Sequence, residues 1–475
     1  MTKTGLLFFV IAAEGYVVLA AELLAIRQLI PFVGSGTEIV AIVISAVLLP
    51  LAAGYHAGGR SFRRRWARCQ AAGKPSPTVR GILLKNMLSA LIVLAPGLSY
   101  PFLELFFGGM QALGIINRLA QTSLYSLLFL VGPVFALGQT LPLVSNYFSR
   151  ARLSEITGRM LFFSTAGSFF GSVFSTIVLM MWLGVHVTVI VTLALLALLV
   201  LLLSRRFASY EALLAALALG VTVILNNPHT MRALSIVSDN AYNTVTVHDL
   251  PREEARVLFT NRSSSSKLAE NPEQRFAYIR YIDEIFLAPL RASNPPRDIL
   301  MIGAGGFTLG LEDAHNRYTY VDIDPALKDV AETYFLKKPL LPNKRFVATS
   351  ARAFLHGQSQ AYDLIVVDVY TNMIAVPMET TTREFLREIK RALKPDGIVV
   401  ANVIMTPDFR DRFSVRYDHT FGSVFPVFTR QVVKPFNPWE PEPKPANVLY
   451  IYYNRPGMND TAIYTDDKNT YSLDR

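Results

Sequence analysis

"ILMIGAGGFTLGLEDAHNRYTYVDIDP", residues 299–325, runs from an apolar segment of strand length through a glycine turn to a second apolar segment ending in an acidic pair. Buried parallel strands read as short continuous apolar runs, so "DILMIG" and "YTYVDI" predict two strands joined by a crossover. Gly303, Gly305 and Gly306 follow the first strand directly, where backbone must come close to a ligand and a side chain would obstruct it. The order Gly-Ala-Gly-Gly lacks the third glycine of the dinucleotide fingerprint at its usual spacing, so the turn alone also fits a tight strand-to-helix connection. Asp322 ends the second strand about 20 residues on, where a carboxylate can accept both hydroxyls of a ribose. It could instead serve a helix N-terminus, but Asp324 before Pro325 suits that role better. Glycines and Asp322 together favour an adenosine-type ligand.

Working outward, "RFVAT" and "YDLIVVD" read as further buried strands alternating with helices, the signature of a parallel α/β sheet. Asp368 ends "YDLIVVD". The C-terminal end of a strand in an open α/β sheet faces the ligand crevice, so a carboxylate there can deprotonate or hold an amine; it could also cap the following loop. Thr381 with Glu384 forms a capping-box pattern, and Phe385, Leu386, Ile389, Ala392 and Leu393 recur on one helical face. "KPDG" stops that helix and "GIVVANV" resumes as a strand. Upstream, "NTVTVHDL" and "EARVLFTN" read as an antiparallel pair, followed by a helical stretch "RFAYIRYIDEIFLAPL". The expected division is 1–226, a small β-rich leader at 227–297, and the α/β domain at 298–475.

The first of these regions has another character. The chain is 51% hydrophobic and 17% charged, too apolar for an ordinary soluble protein. Residues 1–226 hold 16 Lys and Arg against 6 Asp and Glu, leaving 30 of each in residues 227–475, so the whole net charge of +10 sits in the apolar half. Crossing a bilayer takes about 20 apolar residues, and runs of that kind fall near 5–30, 36–58, 81–107, 120–148, 158–183, 186–204 and 208–225. The loop "RSFRRRWARCQAAGKPSPTVR", with Arg150, Arg152, Arg159, Arg205 and Arg206, clusters positive charge on one side, which the positive-inside rule makes cytoplasmic. Basic clusters between apolar spans set topology, so nucleic acid is not an expected partner. The first span has no cleavage site after a short apolar core and reads as a retained helix. Cys69 is the only cysteine, which excludes an intrachain disulfide and a Cys-based metal site; no metal is expected. Seven full spans would put the C-terminal half opposite the cytoplasm, whereas a seventh segment lying flat would leave it inside.

Ionisable residues within spans are functional candidates by default. Glu14 and Glu22 are of this kind, with a salt bridge from Glu22 to Arg27 or to another helix as the structural alternative. Gln139, Asn146 and His186 are expected to make interhelical hydrogen bonds.

"DVYTNMIAVPMETTTREFL", from Asp368 to Leu386, resembles the Asp-aromatic loop, proline and Thr-Arg-Glu-Phe-Leu helix start of the spermidine synthase family. "ELLAIRQL", "LGQTLPLV" and "GRMLFFSTAGSFFGS" resemble signatures of its membrane-embedded bacterial branch. The resemblance implies an all-α polytopic membrane domain joined to an α/β Rossmann-like domain of class I methyltransferase type, set in a bacterial cytoplasmic membrane. It implies transfer of an aminopropyl group from decarboxylated S-adenosylmethionine to an amine, with methyl transfer from S-adenosylmethionine itself and a catalytically inactive polyamine sensor or transporter as alternatives. It also implies that Gly303, Gly305 and Gly306 line the donor, Asp322 holds its ribose, Asp368 acts on the acceptor, and Tyr242 and Tyr278 lie near the substrate.

Ser350 stands where the family usually has an acid contacting adenine. Thr371 and Asn372 replace a second aspartate, and Arg280 replaces acidic residues after Tyr278. A polycationic acceptor needs several carboxylates to replace its water. The expected acceptor is therefore not free putrescine but another small-molecule or lipid-linked amine; the sequence is compatible with a homo-oligomer.

Overall fold

The computed structural model describes residues 3–71, 78–148, 153–204, 209–370, 376–433 and 445–455, and divides into two units, Met1–Val245 and Thr246–Arg475.

Seven helices of the first unit are long and apolar enough to cross a membrane: Thr4–Val33, Thr37–Arg60, Val79–Gly97, Arg118–Ser145, Ser154–Met180, Val185–Leu203 and Tyr210–Ala233. Two details differ from expectation. The basic segment after the second span is not a loop at first: α2 (Thr37–Ala71), which follows α1 (Lys3–Val33), stays helical until "AGKPSP" approaches. Of the basic cluster residues, Arg150, Arg152, Arg205 and Arg206 lie outside the described residues. The third run is not one helix. It divides into α3 (Val79–Gly97) and α4 (Tyr100–Ala112).

Proline causes the division. In a continuous helix the carbonyl of Gly97 would accept from residue 101, but Pro101 has no N–H. The Tyr125 hydroxyl donates to Gly97 O instead, at 2.8 Å. Phe102 N turns to Ser99 O, which frees Leu98 O, and Gln28 Nε2 of α1 fills it at 2.8 Å. Ser99 Oγ donates to Ala95 O and accepts from Asn226 Nδ2 at 2.7 Å. Irregular backbone in an apolar setting survives only where such partners replace water. α1 meets the helix Leu153–Phe174 at close range, because a Cβ on Gly167 or Gly171 would run into the carbonyls of Ala12 or Tyr16; small residues permit this approach.

Arg27 engages partners far along the chain rather than showing the alternative Glu22–Arg27 bridge as its main contact. Five residues apart on a helix, the two side chains point about 140° away from each other, and Arg27 engages Asp239 Oδ1 at 3.4 Å, Thr244 Oγ1 at 3.1 Å and Asn240 O at 2.6 Å. His186 Nδ1 lies 3.8 Å from Asp239 Oδ2. Asn146 bonds within its own turn, to Pro142 O and Leu143 O, and not across helices.

From Ile236 onward the chain is organised by sheets. A small four-stranded sheet runs β1 (Ile236–Asp239), β2 (Thr244–Leu250), β3 (Ala255–Thr260), β4 (Ser263–Ala269) in that order. β3 and β4 pair antiparallel. A seven-stranded sheet follows, formed by β5 (Asp298–Ile302), β6 (Arg317–Asp322), β7 (Lys344–Ala348), β8 (Tyr362–Val367), β9 (Leu393–Met405), β10 (Thr429–Val432) and β11 (Ala446–Tyr453). Its order is β10-β11-β9-β8-β5-β6-β7. β5 to β9 are parallel as expected, whereas β11 runs antiparallel to β9 and β10, making the sheet mixed.

The helix Arg383–Ala392 covers one face with Phe385, Leu386, Ile389 and Ala392, all buried. Its cap is Thr382, not Thr381, accepting from Phe385 N at 3.3 Å; Thr381 closes the preceding 3₁₀ turn through Met378 O.

Arg27 and Asp239 are each about 5% exposed, and removing one partner of a buried pair typically costs about 3–5 kcal/mol. Arg27→Met should therefore lower the thermal midpoint of the detergent-solubilised protein, and Arg27→Met/Asp239→Asn should recover part of the loss.

Candidate active site

The strand order changes direction between β5 and β8, which both neighbour one another and lead away to opposite sides of the sheet. A crevice opens at such a switch point, at the carboxyl ends of the strands. Gly303 leaves β5 and Asp368 leaves β8 at this place. Asp368 N donates to Ile302 O at 2.8 Å, and Gly303 N donates to Val321 O at 2.9 Å. Gly303 has φ +91°, and any Cβ on it would run into the Asp368 carbonyl. Glycine is required here by the approach of one strand end to another. Gly305 and Gly306 face Ser266 of β4, whose Oγ accepts from Gly306 N at 2.8 Å. The glycine turn is thus pinned from two directions by protein.

Asp322 closes the turn from β6. Its Oδ2 accepts from Ala304 N at 3.0 Å and its Oδ1 from Asp324 N at 3.1 Å. Burial pushes its carboxyl up to about 6, against the lowering effect of these N–H groups. An ionised carboxylate offers about four lone-pair sites; the N–H groups of Ala304, Asp324 and Ile323 act on three of them, which leaves a site for a sugar hydroxyl. Ile323, next in the chain, is 46% exposed and offers an apolar face beside it. These residues fit an adenosyl group.

Asp368 is the centre of a hydrogen-bonded group. Tyr278 OH donates to its Oδ2 at 2.9 Å and Asn402 Nδ2 to its Oδ1 at 2.8 Å. Asn402 stands level with Asp368 because Val367 of β8 pairs with Ala401 of β9. Its own oxygen accepts from Asn447 Nδ2 at 3.0 Å. Tyr370 donates to Asn402 O at 3.0 Å and accepts from Ile404 N at 2.8 Å. Burial raises the Asp368 carboxyl above its ordinary range, while Asn402 and Tyr278 act in the opposite sense. Burial, with the Asp368 charge adding to it, holds Tyr278 well above the usual phenol range, so it stays a donor.

The remaining residues singled out from sequence divide. Ser350 is exposed and caps the helix Ala351–Leu355 by accepting from Ala353 N at 3.3 Å. Tyr242 belongs to the first unit, in a turn held by Asn240 Oδ1. Thr371 and Asn372 lie outside the described residues. Arg280 forms an ion pair with Glu273. Sequence reading passed over Asn402, a polar residue inside the apolar strand β9, and Ser266, which sits in a polar run with no alternation to mark it as a strand.

The description "Methyltransferase domain" matches residues 300–401. A polyamine aminopropyltransferase from Vibrio vulnificus is 32% identical over 163 residues, 33% of this chain and 54% of that protein. A third of the chain is thus similar in sequence to a polyamine aminopropyltransferase. The chain spans only about half the length of that Vibrio relative. An N-terminal histidine N-methyltransferase from Emericella nidulans is 35% identical over 136 residues, 27% of this chain and 23% of that protein. Among solved structures, a probable spermidine synthase from Corynebacterium glutamicum aligns with TM-score 0.39 and 21% identity, covering 48% of this chain and 81% of that one.

Asn402→Ala removes one of two donors to Asp368, so the carboxyl should titrate at higher pH than in the parent. The infrared band of the protonated carboxyl, assigned through Asp368→Asn, measures this. An unmoved titration would show that Asn402 does not tune the group.

Proposed function

We propose that this protein is a membrane-embedded transferase that moves an aminopropyl group from decarboxylated S-adenosylmethionine to an amine other than free putrescine. The observation that supports this reading most is the half-buried Asp368, held by Tyr278 and Asn402 at the switch point that the glycine turn and Asp322 also border. The seven apolar helices support the membrane placement.

An amine must be neutral to attack. Asp368, its carboxyl raised by burial, takes a proton from the acceptor ammonium, and Tyr278 and Asn402 keep both carboxylate oxygens oriented while it does so. The amine nitrogen then bonds to the carbon next to the sulfonium sulfur as that carbon–sulfur bond breaks. The bonding pair goes to sulfur, which leaves as a neutral thioether, and the second proton leaves the new ammonium for solvent. Asp322 fixes the ribose, so that the reacting carbon is presented toward Asp368.

The acceptor preference follows from charge. Among the described residues Asp368 is the one carboxylate in its hydrogen-bonded group, and Glu273 and Asp283, the acids nearest in sequence to Tyr278, are engaged by Arg280 and Arg291. A diamine would leave its second ammonium without a counter-charge there. The match to a methyltransferase domain and to the Emericella protein favours a second reading, methyl transfer from intact S-adenosylmethionine. Product analysis with each donor in turn separates the two. Asp368→Asn should reduce either transfer about 10²–10⁴-fold; retained turnover in that variant would remove Asp368 from the mechanism.

Asp322 adds a pH signature. Its folded carboxyl lies above the ordinary value of 3.8, at about 6, so its ionisation opposes folding: the contribution to stability is full below pH 3.8 and is lost as pH rises through 6. Only the ionised form is purely an acceptor toward a ribose hydroxyl. Calorimetric binding of S-adenosylhomocysteine should therefore strengthen between pH 5 and 7, and Asp322→Asn should bind weakly with that pH dependence flattened.

A further inference from the structure

The helical unit contains a carboxyl that the surrounding chain leaves unanswered. Glu14 lies midway along α1 and is 1% exposed. Its Oε2 is fully buried and has no hydrogen-bond partner among the described residues. Arg27 and His186, basic residues of the same unit, are turned to Asp239 instead.

The neighbourhood is built from several helices. Tyr55 of α2 lies within electrostatic reach of Glu14, and its hydroxyl is hydrogen-bonded with Ser164. Gly15, next to Glu14, packs against the Ser164 carbonyl and Ser168. One turn along α2 from Tyr55, Gly58 packs against the backbone of Gln139. Gln139 Oε1 and Thr140 Oγ1 are also fully buried without a partner, and α1 touches the helix Thr140–Ser145.

The unanswered atoms share one property: each can accept a hydrogen bond. A carboxylate and an amide oxygen buried without donors cost several kcal/mol in an apolar interior, so the missing partner is a donor, and beside a carboxylate it is a cationic donor. The walls favour an organic ion over a bare metal. Ile11, Val17 and Val18 of α1 are buried around this level, Tyr55 supplies an aromatic ring, and an alkylammonium uses both, with its chain against apolar surface and its charge near a ring face. An alkali ion would instead need a shell of oxygens.

We propose that Glu14 is the anionic anchor of a binding site for an organic ammonium ion inside the helical unit, with Tyr55 and Gln139 beside it. This goes beyond the transfer reaction and rests on the reading of the helices as membrane-embedded.

The test uses the full chain in detergent and dicyclohexylcarbodiimide, an apolar reagent that modifies buried carboxyls, with the modified peptide located by mass spectrometry. Protonated N,N-dimethylbutylamine, which cannot form an amide with the activated carboxyl, should slow modification of Glu14 several-fold, while sodium or potassium chloride at the same ionic strength should not. Asp368→Asn should leave this protection intact while abolishing transfer, so the two readings fail independently. Glu14 modified at one rate with and without amine, slowed equally by the inorganic salts, or sealed from the reagent altogether would overturn the proposal.

Discussion

The approach of Gly303 to the carbonyl of Asp368 is the constraint on which the second unit depends. Two parallel strands that end side by side place a nucleotide-type turn and a half-buried acid within one crevice, and a single Cβ at position 303 would force them apart. From that contact the rest follows in order. Ile302 O receives Asp368 N, Val321 O receives Gly303 N, and Asp322 receives Ala304 N, so β5, β6 and β8 are tied at the same level. The acid is then fixed laterally by β9 through Asn402, and Asn402 by β11 through Asn447. The antiparallel strand β11 thereby reaches the crevice through two amides.

Much of this was legible in the sequence because local chemistry decided it. "DILMI", "YTYVDI" and "YDLIVV" are strands whose burial on both faces shows as unbroken apolar runs, and Asp322 and Asp368 are legible because they end such runs. What escaped was set by distant partners. β4 is a serine-rich strand with no apolar alternation, held by pairing with β3, so Ser266 gave no sign that it would cap the glycine turn. The reversed direction of β11 depends on chain that returns after β10. Thr381 and Thr382 are chemically equivalent caps, and only the preceding 3₁₀ turn chooses between them.

The helical unit shows the same division. Its apolar runs read directly as helices, yet the interruption after Gly97 did not, because apolar composition continues unchanged through Pro101. The pairing of Arg27 with Asp239, across more than two hundred residues, was hidden by a nearer acid on the wrong side of the helix.

That interruption also orders events in time. The carbonyls at Gly97 and Leu98 are filled from Tyr125 and Gln28, but Ser99 meets Asn226, which lies 127 residues further along the chain. During synthesis the broken helix must wait, one polar group short, until the last apolar helix arrives. Completion of the helical unit is thus signalled at its interior, immediately before the chain that forms the transferase-like domain begins to emerge.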